Sequence, residues 1–158
     1  MRGLVAAALL LSTFAVPAGA QDRKTPYWAS IASGQAMMRT GPGRNYPGIW
    51  LYQRRDLPIR VIKIFPHWRL IEDPDGVRGW MLVSLLSDQR TALIKAGEPR
   101  PIRSEPRAGA HVRYLAEPGV VGRIDHCGGS WCRIEIGAKR GYIAQGDVYG
   151  LSPGEKID

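Results

Sequence analysis

The sequence predicts an all-β protein composed of two small β-barrels in tandem, and three observations support this fold class. A block of sequence occurs twice, so that Arg-Thr at 39–40 corresponds to Arg-Ser at 103–104 and Trp68 corresponds to Trp131. Short runs rich in β-branched residues are bounded by turn-forming residues, which is typical of strands. Turn signals recur along the chain, including the Asp-Pro-Asp-Gly at 73–76.

The N-terminus has the pattern of a secretory signal peptide. Arg2 precedes an apolar run at 4–16, and small residues follow at 18–20. We expect removal of residues 1–20 and a mature chain beginning at Gln21. The apolar run is shorter than the roughly 20 residues that a spanning helix needs, so no integral membrane segment is expected in the mature chain. The predicted location is therefore outside the cytoplasm, in the periplasm or the extracellular space.

The two copies divide the remaining chain into five parts. The spacing between corresponding residues drifts by single residues in the turns, as it does in duplicated units. A connector between the copies has room for a helical turn, and the last residues are expected to form a flexible tail. The predicted parts are an N-terminal segment at 21–33, repeat 1 at 34–88, the connector at 89–97, repeat 2 at 98–150 and the tail at 151–158.

The chain is basic, with 22 Lys and Arg against 14 Asp and Glu and a formal net charge of +8. Such a balance favours polyanions in general, among them acidic wall polymers, lipid phosphates and nucleic acid, but it selects none of them. Export argues against nucleic acid, and the sequence lacks a Lys/Arg block or a basic patch interleaved with aromatic residues. Nucleic acid is therefore not an expected partner, and a solvated basic surface is the preferred interpretation.

Two cysteines, Cys127 and Cys132, flank a Gly-Gly turn in the second copy. In an exported protein this spacing predicts a disulfide that closes a hairpin, with a contribution near the low end of roughly 2–4 kcal/mol. A metal site would use His126 with both thiolates, but closed sites need four ligands, and His67 and His111 lie far away in sequence. We therefore expect a disulfide, no metal and no cofactor.

Three motifs of the first copy form a recognisable set: Met-Arg-Thr-Gly-Pro-Gly at 38–43, Trp-Arg-Leu-Ile at 68–71 and Gly-Trp-Met at 79–81. With these motifs the first copy resembles a bacterial SH3-type (SH3b) domain. The second copy departs at Glu105, where the family has glycine, and at Tyr142, where it has tryptophan. The resemblance implies two tandem small SH3-like β-barrels of five or six strands. It also implies a binding or targeting role, often toward peptidoglycan or a protein partner, and no chemistry.

Glycine and arginine recur at the start of the closing strand in both copies, as Arg78-Gly79 and Arg140-Gly141. A glycine at this place lets another backbone or ring approach closely. Each arginine either holds a neighbouring carboxylate or carbonyl or remains a solvated charge at the strand edge.

Alternation along the strands places both central tryptophans on the outer side of the barrels. Trp68 and Trp131 have the opposite parity to Ile71 and Ile134, which are expected to point inward. An outward tryptophan covers the long arm of its own barrel, packs between the barrels or contacts a ligand. We favour structural packing for Trp68, and likewise for Trp80.

Aromatic residues of the arm before the first long strand are the candidate ligand contacts. Rings supply apolar area for a glycan or a peptide, and arms on rigid scaffolds often carry recognition. Tyr46 and Trp50 are the better candidates within this group. The predicted ligand-binding residues are Tyr46, Trp50, Tyr52, Trp68 and the second-copy equivalent Tyr114.

Catalysis is not expected. No Ser-His-Asp order, Gly-rich phosphate loop or His-Glu-x-x-His motif occurs, and Glu72, Asp73 and Asp75 cluster around a turn where solvation explains them. SH3b domains often accompany a Cys-His peptidase, but the two repeats leave no length for one in this chain. A small hydrolase built on Cys127 or on the acidic turn is the least favoured alternative.

The expected function is a non-catalytic exported binding module of the cell envelope that recognises peptidoglycan or a related envelope component. The alternative is a periplasmic protein–protein adaptor that docks an envelope enzyme through its arm grooves or an exposed strand edge.

Overall fold

The protein is described by a computed structural model that covers residues 23–158. The predicted signal peptide lies outside the described residues. Among residues 23–158, no helix is long and apolar enough to cross a membrane. The described chain consists of strands with two short 3-10 helices, at Val83–Leu85 and Gln145–Asp147, so the predicted all-β fold class is confirmed.

The first repeat contains seven strands. They are β1 (Tyr27–Ile31), β2 (Ala36–Arg39), β3 (Gly48–Tyr52), β4 (Pro58–Phe65), β5 (Trp68–Glu72), β6 (Arg78–Leu82) and β7 (Leu86–Ser87). The second repeat contains seven more. They are β8 (Thr91–Ile94), β9 (Arg100–Arg103), β10 (Val112–Ala116), β11 (Val121–Gly128), β12 (Trp131–Ile136), β13 (Lys139–Ala144) and β14 (Val148–Tyr149).

The two sheets have the same antiparallel topology. The strand order is β3-β2-β6-β5-β4-β1-β7 in the first sheet and β10-β9-β13-β12-β11-β8-β14 in the second. Adding seven to each strand number converts one order into the other, which confirms the tandem duplication. The five or six strands implied by the resemblance are too few, because a first strand and a two-residue last strand complete each sheet.

The predicted connector at 89–97 is wrong. Residues Thr91–Ile94 form strand β8, which pairs with β11 and β14 and contains no helical turn. Its Ala92 and Ile94 side chains are buried in the core of the second repeat, so apolar burial rather than linkage determines its conformation. The equivalent strand β1 lies in the predicted N-terminal segment, so each repeat begins one strand earlier than expected.

The predicted flexible tail at 151–158 is also wrong. Ile157 pairs with Cys127 through two backbone hydrogen bonds of 2.8 and 3.1 Å. Glu155 forms an ion pair of 2.6 Å with Arg90, and Ile157 packs against the core of the second repeat. These contacts fix the C-terminal residues to the surface of that repeat.

Each repeat has its own hydrophobic core. The strongly buried residues of the first core come from β1 to β6, and those of the second come from β8 to β14. The first core includes Ile31, Met38, Ile59, Val61, Ile71 and Met81, and the second includes Ile94, Ile102, Ile124, Ile134 and Ile143. Two cores, rather than one, are what a pair of SH3-like barrels requires.

Glycines on the closing strands permit the close approach that was predicted. A Cβ on Gly79 would lie 2.8 Å from Met38 Sδ, and one on Gly141 would lie 2.8 Å from the Arg103 carbonyl oxygen. A side chain at Gly79 would prevent β2 from approaching β6 so closely. A side chain at Gly141 would do the same for β9 and β13.

The neighbouring arginines bind carboxylates across the strand pair. Arg78 lies 2.6 Å from Glu72, and Arg140 pairs in the same way with Glu135. Arg78 and Arg140 therefore form cross-strand ion pairs and are not merely solvated charges at the strand edge.

The repeats touch through a junction formed by Trp28, Tyr149, Leu93 and Val121. The rings of Trp28 and Tyr149 meet edge to face with centroids 5.0 Å apart. Leu93 and Val121 belong to the second repeat but pack against the core of the first. The tryptophan between the barrels is therefore Trp28 and not Trp68.

The disulfide between Cys127 and Cys132 is confirmed. The two residues are directly opposite each other on β11 and β12, two positions from the hairpin turn, and both are buried. No free cysteine occurs in the described chain. Because Cys127 is bonded, it does not provide the thiolate nucleophile that a cysteine hydrolase requires.

Candidate functional site

An arm, residues 40–47, connects β2 to β3 and is braced by main-chain contacts. Arg39 Nη1 donates a hydrogen bond of 2.8 Å to the Tyr46 carbonyl oxygen, and the Thr40 amide donates one of 3.0 Å to Pro47. The second arm, residues 104–111, has the same contacts from Arg103 to Ala110 at 2.7 Å and from Ser104 to His111 at 2.9 Å. The opening Arg-Thr or Arg-Ser therefore fixes the arm in both repeats.

The Tyr46 ring lies directly over Gly41. A Cβ on Gly41 would overlap this ring, and a Cβ on Gly43 would lie 3.2 Å from it. The second arm has Glu105 at the position of Gly41 and the buried Ala110 at the position of Tyr46. The second copy therefore lacks both the glycine and the tyrosine whose ring requires that glycine.

The next strand exposes a continuous apolar row, which we call the β3 edge: Ile49, Trp50 and Leu51. Trp50 is 61% exposed, and Ile49 and Leu51 are 44% and 43% exposed. Strand β3 is the first strand in the sheet order, and among residues 23–158 it pairs only with β2. Its other side presents unpaired backbone groups to solvent. The structure thus places two candidates, Tyr46 and Trp50, on exposed surface of the arm and the adjoining strand.

Tyr52 does not belong to that surface, contrary to the sequence prediction. Its side chain is only 6% exposed and is part of the first core. The hydroxyl group donates a hydrogen bond of 2.7 Å to Asp73 Oδ2. Burial, together with this hydrogen bond to a carboxylate, raises the pKa of the Tyr52 phenol far above its usual value. Tyr52 anchors the end of β3 instead of contacting a ligand.

Trp68 is 7% exposed and is absent from the first core cluster, which contains Ile71 of the same strand. It lies on the outer side of β5, as alternation predicts, and is covered there. The prediction of Trp68 as a ligand contact is therefore not supported by its position. Trp80 is half-buried and meets Phe65 edge to face with centroids 6.0 Å apart.

Tyr114 occupies the position in the second repeat that Trp50 occupies in the first. Trp50 is opposite Met38 in the strand pair, and Tyr114 is opposite Ile102. Tyr114 is half-buried, however, and Lys139 Nζ lies 5.4 Å from the centre of its ring. Burial raises the pKa of its phenol. The two repeats therefore present different surfaces at an equivalent position.

Sequence reasoning did not identify Ile49 and Leu51. Alternation along a strand normally hides every second side chain, so a run of exposed apolar residues is not expected on both sides of β3. The available signal was the composition of Gly48–Tyr52, which contains no charged residue in a strand that follows a polar arm.

Three arginines close to β3 in sequence form no ion pair with a carboxylate in the described part of the chain. Arg44, Arg54 and Arg55 are all exposed, and Arg54 donates a hydrogen bond to the Gly119 carbonyl oxygen. Within residues 23–158, no group of three potential metal ligands occurs. The chemistry available at this surface is therefore aromatic, apolar and cationic.

Comparison with known proteins agrees with the two-repeat architecture. Residues 32–88 and 96–150 each match the family model of the bacterial SH3 domain. No curated protein matches the chain.

Two solved structures from Trichomonas vaginalis are similar to the chain. NlpC2 is 13% identical, with a TM-score of 0.35, over 81% of this chain and 49% of that one. NlpC1 is 12% identical, with a TM-score of 0.34, over 82% of this chain and 47% of that one. The chain thus spans about half the length of either protein. Because the two regions that match the family model make up more than half of the chain and lie in the two sheets, the protein belongs to the bacterial SH3 domain family.

Proposed function

We propose that the protein is a non-catalytic, exported binding module of the cell envelope whose ligand is peptidoglycan or a related envelope component. Membership in the bacterial SH3 domain family supports an envelope-associated role. The disulfide supports export, because such bonds form and persist in oxidising compartments outside the cytoplasm. The basic composition suits an acidic surface such as the bacterial wall.

The exposure of Trp50 is the observation that carries this proposal. A ring with most of its surface in solvent, on a strand anchored by the buried Tyr52, is available to stack on a sugar ring. Tyr46 lies at the end of the braced arm and is also exposed. Rings held in fixed positions lose little conformational entropy when a ligand binds.

The side chains that would otherwise suggest catalysis have structural partners. Asp73 accepts hydrogen bonds from Tyr52 and from the amides of Asp75 and Val77, at 2.7, 3.0 and 2.8 Å. Glu72 is paired with Arg78. These contacts support a turn-stabilising role for the acidic cluster rather than acid–base chemistry.

Sedimentation with purified peptidoglycan across a salt series tests the proposal. We expect the mature protein to be retained at about 0.5 M salt, where interactions between exposed charges are largely screened. Trp50→Ala should weaken retention about tenfold or more, because loss of an anchoring ring costs about 1.4 kcal/mol or more. Tyr114→Ala is the matched control, and it should retain wild-type binding. Loss of wild-type retention at moderate salt would indicate binding by charge alone and would contradict the proposal.

The second candidate function is that of an adaptor that docks an envelope protein. The β3 edge favours it, because an apolar strand with a free side is suited to pairing with another chain. No retention on peptidoglycan at any salt concentration, together with a partner whose binding depends on the β3 edge, would favour the adaptor.

A further inference from the structure

The β3 edge lacks most of the features that protect sheet edges from other strands. Such edges are usually interrupted by charged residues, prolines or bulges, or are covered by another segment. Strand β3 contains neither a charged residue nor a proline, and its one irregularity is a bulge at Ile49. Beyond the bulge, residues 50–52 pair in regular register with residues 36–38 of β2. Their outer side therefore remains competent to accept another strand.

The equivalent edge in the second repeat is better protected. Its bulge falls at Arg113, which donates a hydrogen bond of 3.2 Å to the Arg140 carbonyl oxygen. Tyr114 is half-buried with Lys139 above its ring, although Leu115 is exposed. Two cations thus stand at positions whose first-repeat equivalents, Ile49 and Val77, are uncharged. The two repeats therefore share a fold but differ in the protection of this edge.

Positive charge flanks β3 on both sides in the sequence. Arg44 precedes the strand by four residues, and Arg55 follows it by three, and both are exposed and unpaired within the described residues. Antiparallel pairing of two β3 strands about Trp50 would place the arginine-bearing turn after β3 of one copy at the same end as the arginine-bearing arm of the other. Like charges in such positions are destabilising, so self-association by this edge is disfavoured. An occupant with carboxylates at its ends is favoured instead.

We infer that the β3 edge accepts, as an added strand, an extended segment of a partner protein that has apolar residues in its middle and acidic residues at its ends. Trp50 and Leu51 point to opposite sides of the sheet, so alternate side chains of the segment lie against each of them. Main-chain hydrogen bonds to residues 50–52 supply affinity, and the two arginines set the charge preference. This inference rests on the second candidate function and names the chemistry of its partner.

A synthetic peptide with capped ends, Glu-Glu-Thr-Val-Thr-Val-Thr-Glu-Glu, tests the inference on the mature protein. We expect saturable amide chemical-shift changes confined to β3 and its partner strand, with slower hydrogen exchange in residues 50–52. The same peptide methylated on the backbone nitrogens of its three central residues should not bind, because it cannot pair. Equal binding of the methylated peptide, shifts located away from β3, or no binding at millimolar peptide would overturn the inference.

A charge exchange tests the preference for acidic ends. The double variant Arg44→Glu with Arg55→Glu should weaken binding of the Glu-ended peptide at least tenfold and should strengthen binding of a Lys-ended counterpart. The control, Lys63→Glu with Lys156→Glu, changes the net charge equally at exposed positions away from β3 and should alter neither affinity more than about twofold. Equal effects of the two double variants would show that net charge alone is responsible.

Two further readouts separate this inference from the proposed functions. Sedimentation equilibrium of the wild-type protein should show a monomer, and a dimer disrupted by Leu51→Lys but not by Leu115→Lys would make a second copy the occupant. Peptide binding away from β3 would leave the adaptor function intact and remove only the edge inference. Retention on peptidoglycan without any peptide binding would leave only the wall-binding function.

Discussion

At the scale of single residues, Asp73 connects more of the structure than any feature of its sequence context suggests. One carboxylate oxygen accepts the Tyr52 hydroxyl, and the other accepts the amides of Asp75 and Val77. Its carbonyl oxygen accepts the hydroxyl of Tyr149 at 3.1 Å. The strand that carries Trp50, an acidic turn and the second repeat are thus joined at one buried residue.

Removal of the Tyr52 hydroxyl should therefore be costly. We expect Tyr52→Phe to lower the free energy of unfolding by about 1.5–3 kcal/mol, because a buried carboxylate oxygen loses its hydrogen-bond donor. Denaturant-induced unfolding measures the change. Tyr142→Phe is the matched control, since its hydroxyl makes no hydrogen bond within residues 23–158, and it should change stability by less than about 0.5 kcal/mol. Equal losses in the two variants would refute this role of Asp73.

At the scale of elements, the arm shows how a pair of residues changes together. Gly41 and Tyr46 fit because one has no side chain where the other places its ring, and Glu105 and Ala110 exchange these sizes in the second repeat. The same backbone hydrogen bonds persist in both arms. The path of the arm is therefore determined by Arg39 or Arg103, and the aromatic residue occurs only in the first copy.

A double-mutant cycle tests the fit of the arm. Gly41→Ala should destabilise the protein by about 1–3 kcal/mol, because the added methyl group overlaps a ring. In a Tyr46→Ala background most of that cost should disappear, giving a coupling energy of about 1 kcal/mol or more. Gly34→Ala is the control, since no heavy atom lies within 4 Å of its added Cβ. Additive effects of the two arm substitutions would show that the ring is not what excludes a side chain at Gly41.

The strands differ in how well their sequences predict them. Runs with β-branched residues and strong turns, such as β4, β5 and β12, are recognisable locally, and so is the disulfide hairpin. Strands β1 and β8 are harder to recognise, because each has only four or five residues and their shared positions, Ala29 and Ile31 with Ala92 and Ile94, are too few to extend the repeat. Both are formed by pairing with β4 or β11, and long-range pairing of this kind overrides local propensity.

The candidate site is predictable to a smaller extent. Alternation correctly places Trp68 on the outer side of its strand, but whether that side is covered depends on packing that alternation does not describe. Tyr52 is close to the arm in sequence, but its hydrogen-bond partner Asp73 lies 21 residues further along the chain, and only the folded structure shows that pairing. The exposure of Trp50 follows from the edge position of β3, which only the sheet order reveals.

At the scale of the whole molecule, the junction makes the stability of one repeat depend on the other. Tyr149 of the second repeat contacts Trp28 and binds the Asp73 carbonyl oxygen of the first. Leu93 and Val121 complete the first core from outside it. A substitution at the junction should therefore change the stability of both sheets.

Alkaline unfolding should report on this junction. Burial raises the pKa of Tyr149 to about 12, whereas an unfolded chain releases the same proton near its ordinary pKa of about 10. The stability linked to this group is complete below about pH 10 and is lost as pH rises toward about 12. The free energy of unfolding should fall more gently with pH in Tyr149→Phe than in wild type between about pH 9.5 and 11.5. Equal slopes in Tyr149→Phe and in the wild-type protein would contradict the assignment.

The junction also bears on how this gene can evolve. A domain that recombines independently must bury its hydrophobic core with its own residues. The core of the first repeat, however, is partly covered by Leu93 and Val121 of the second. Recombination that separated the two repeats would expose apolar core residues of the first repeat to solvent. It would also remove the contacts that Tyr149 of the second repeat makes with Trp28 and Asp73. We expect natural rearrangements of this gene to carry the pair together, as one heritable block.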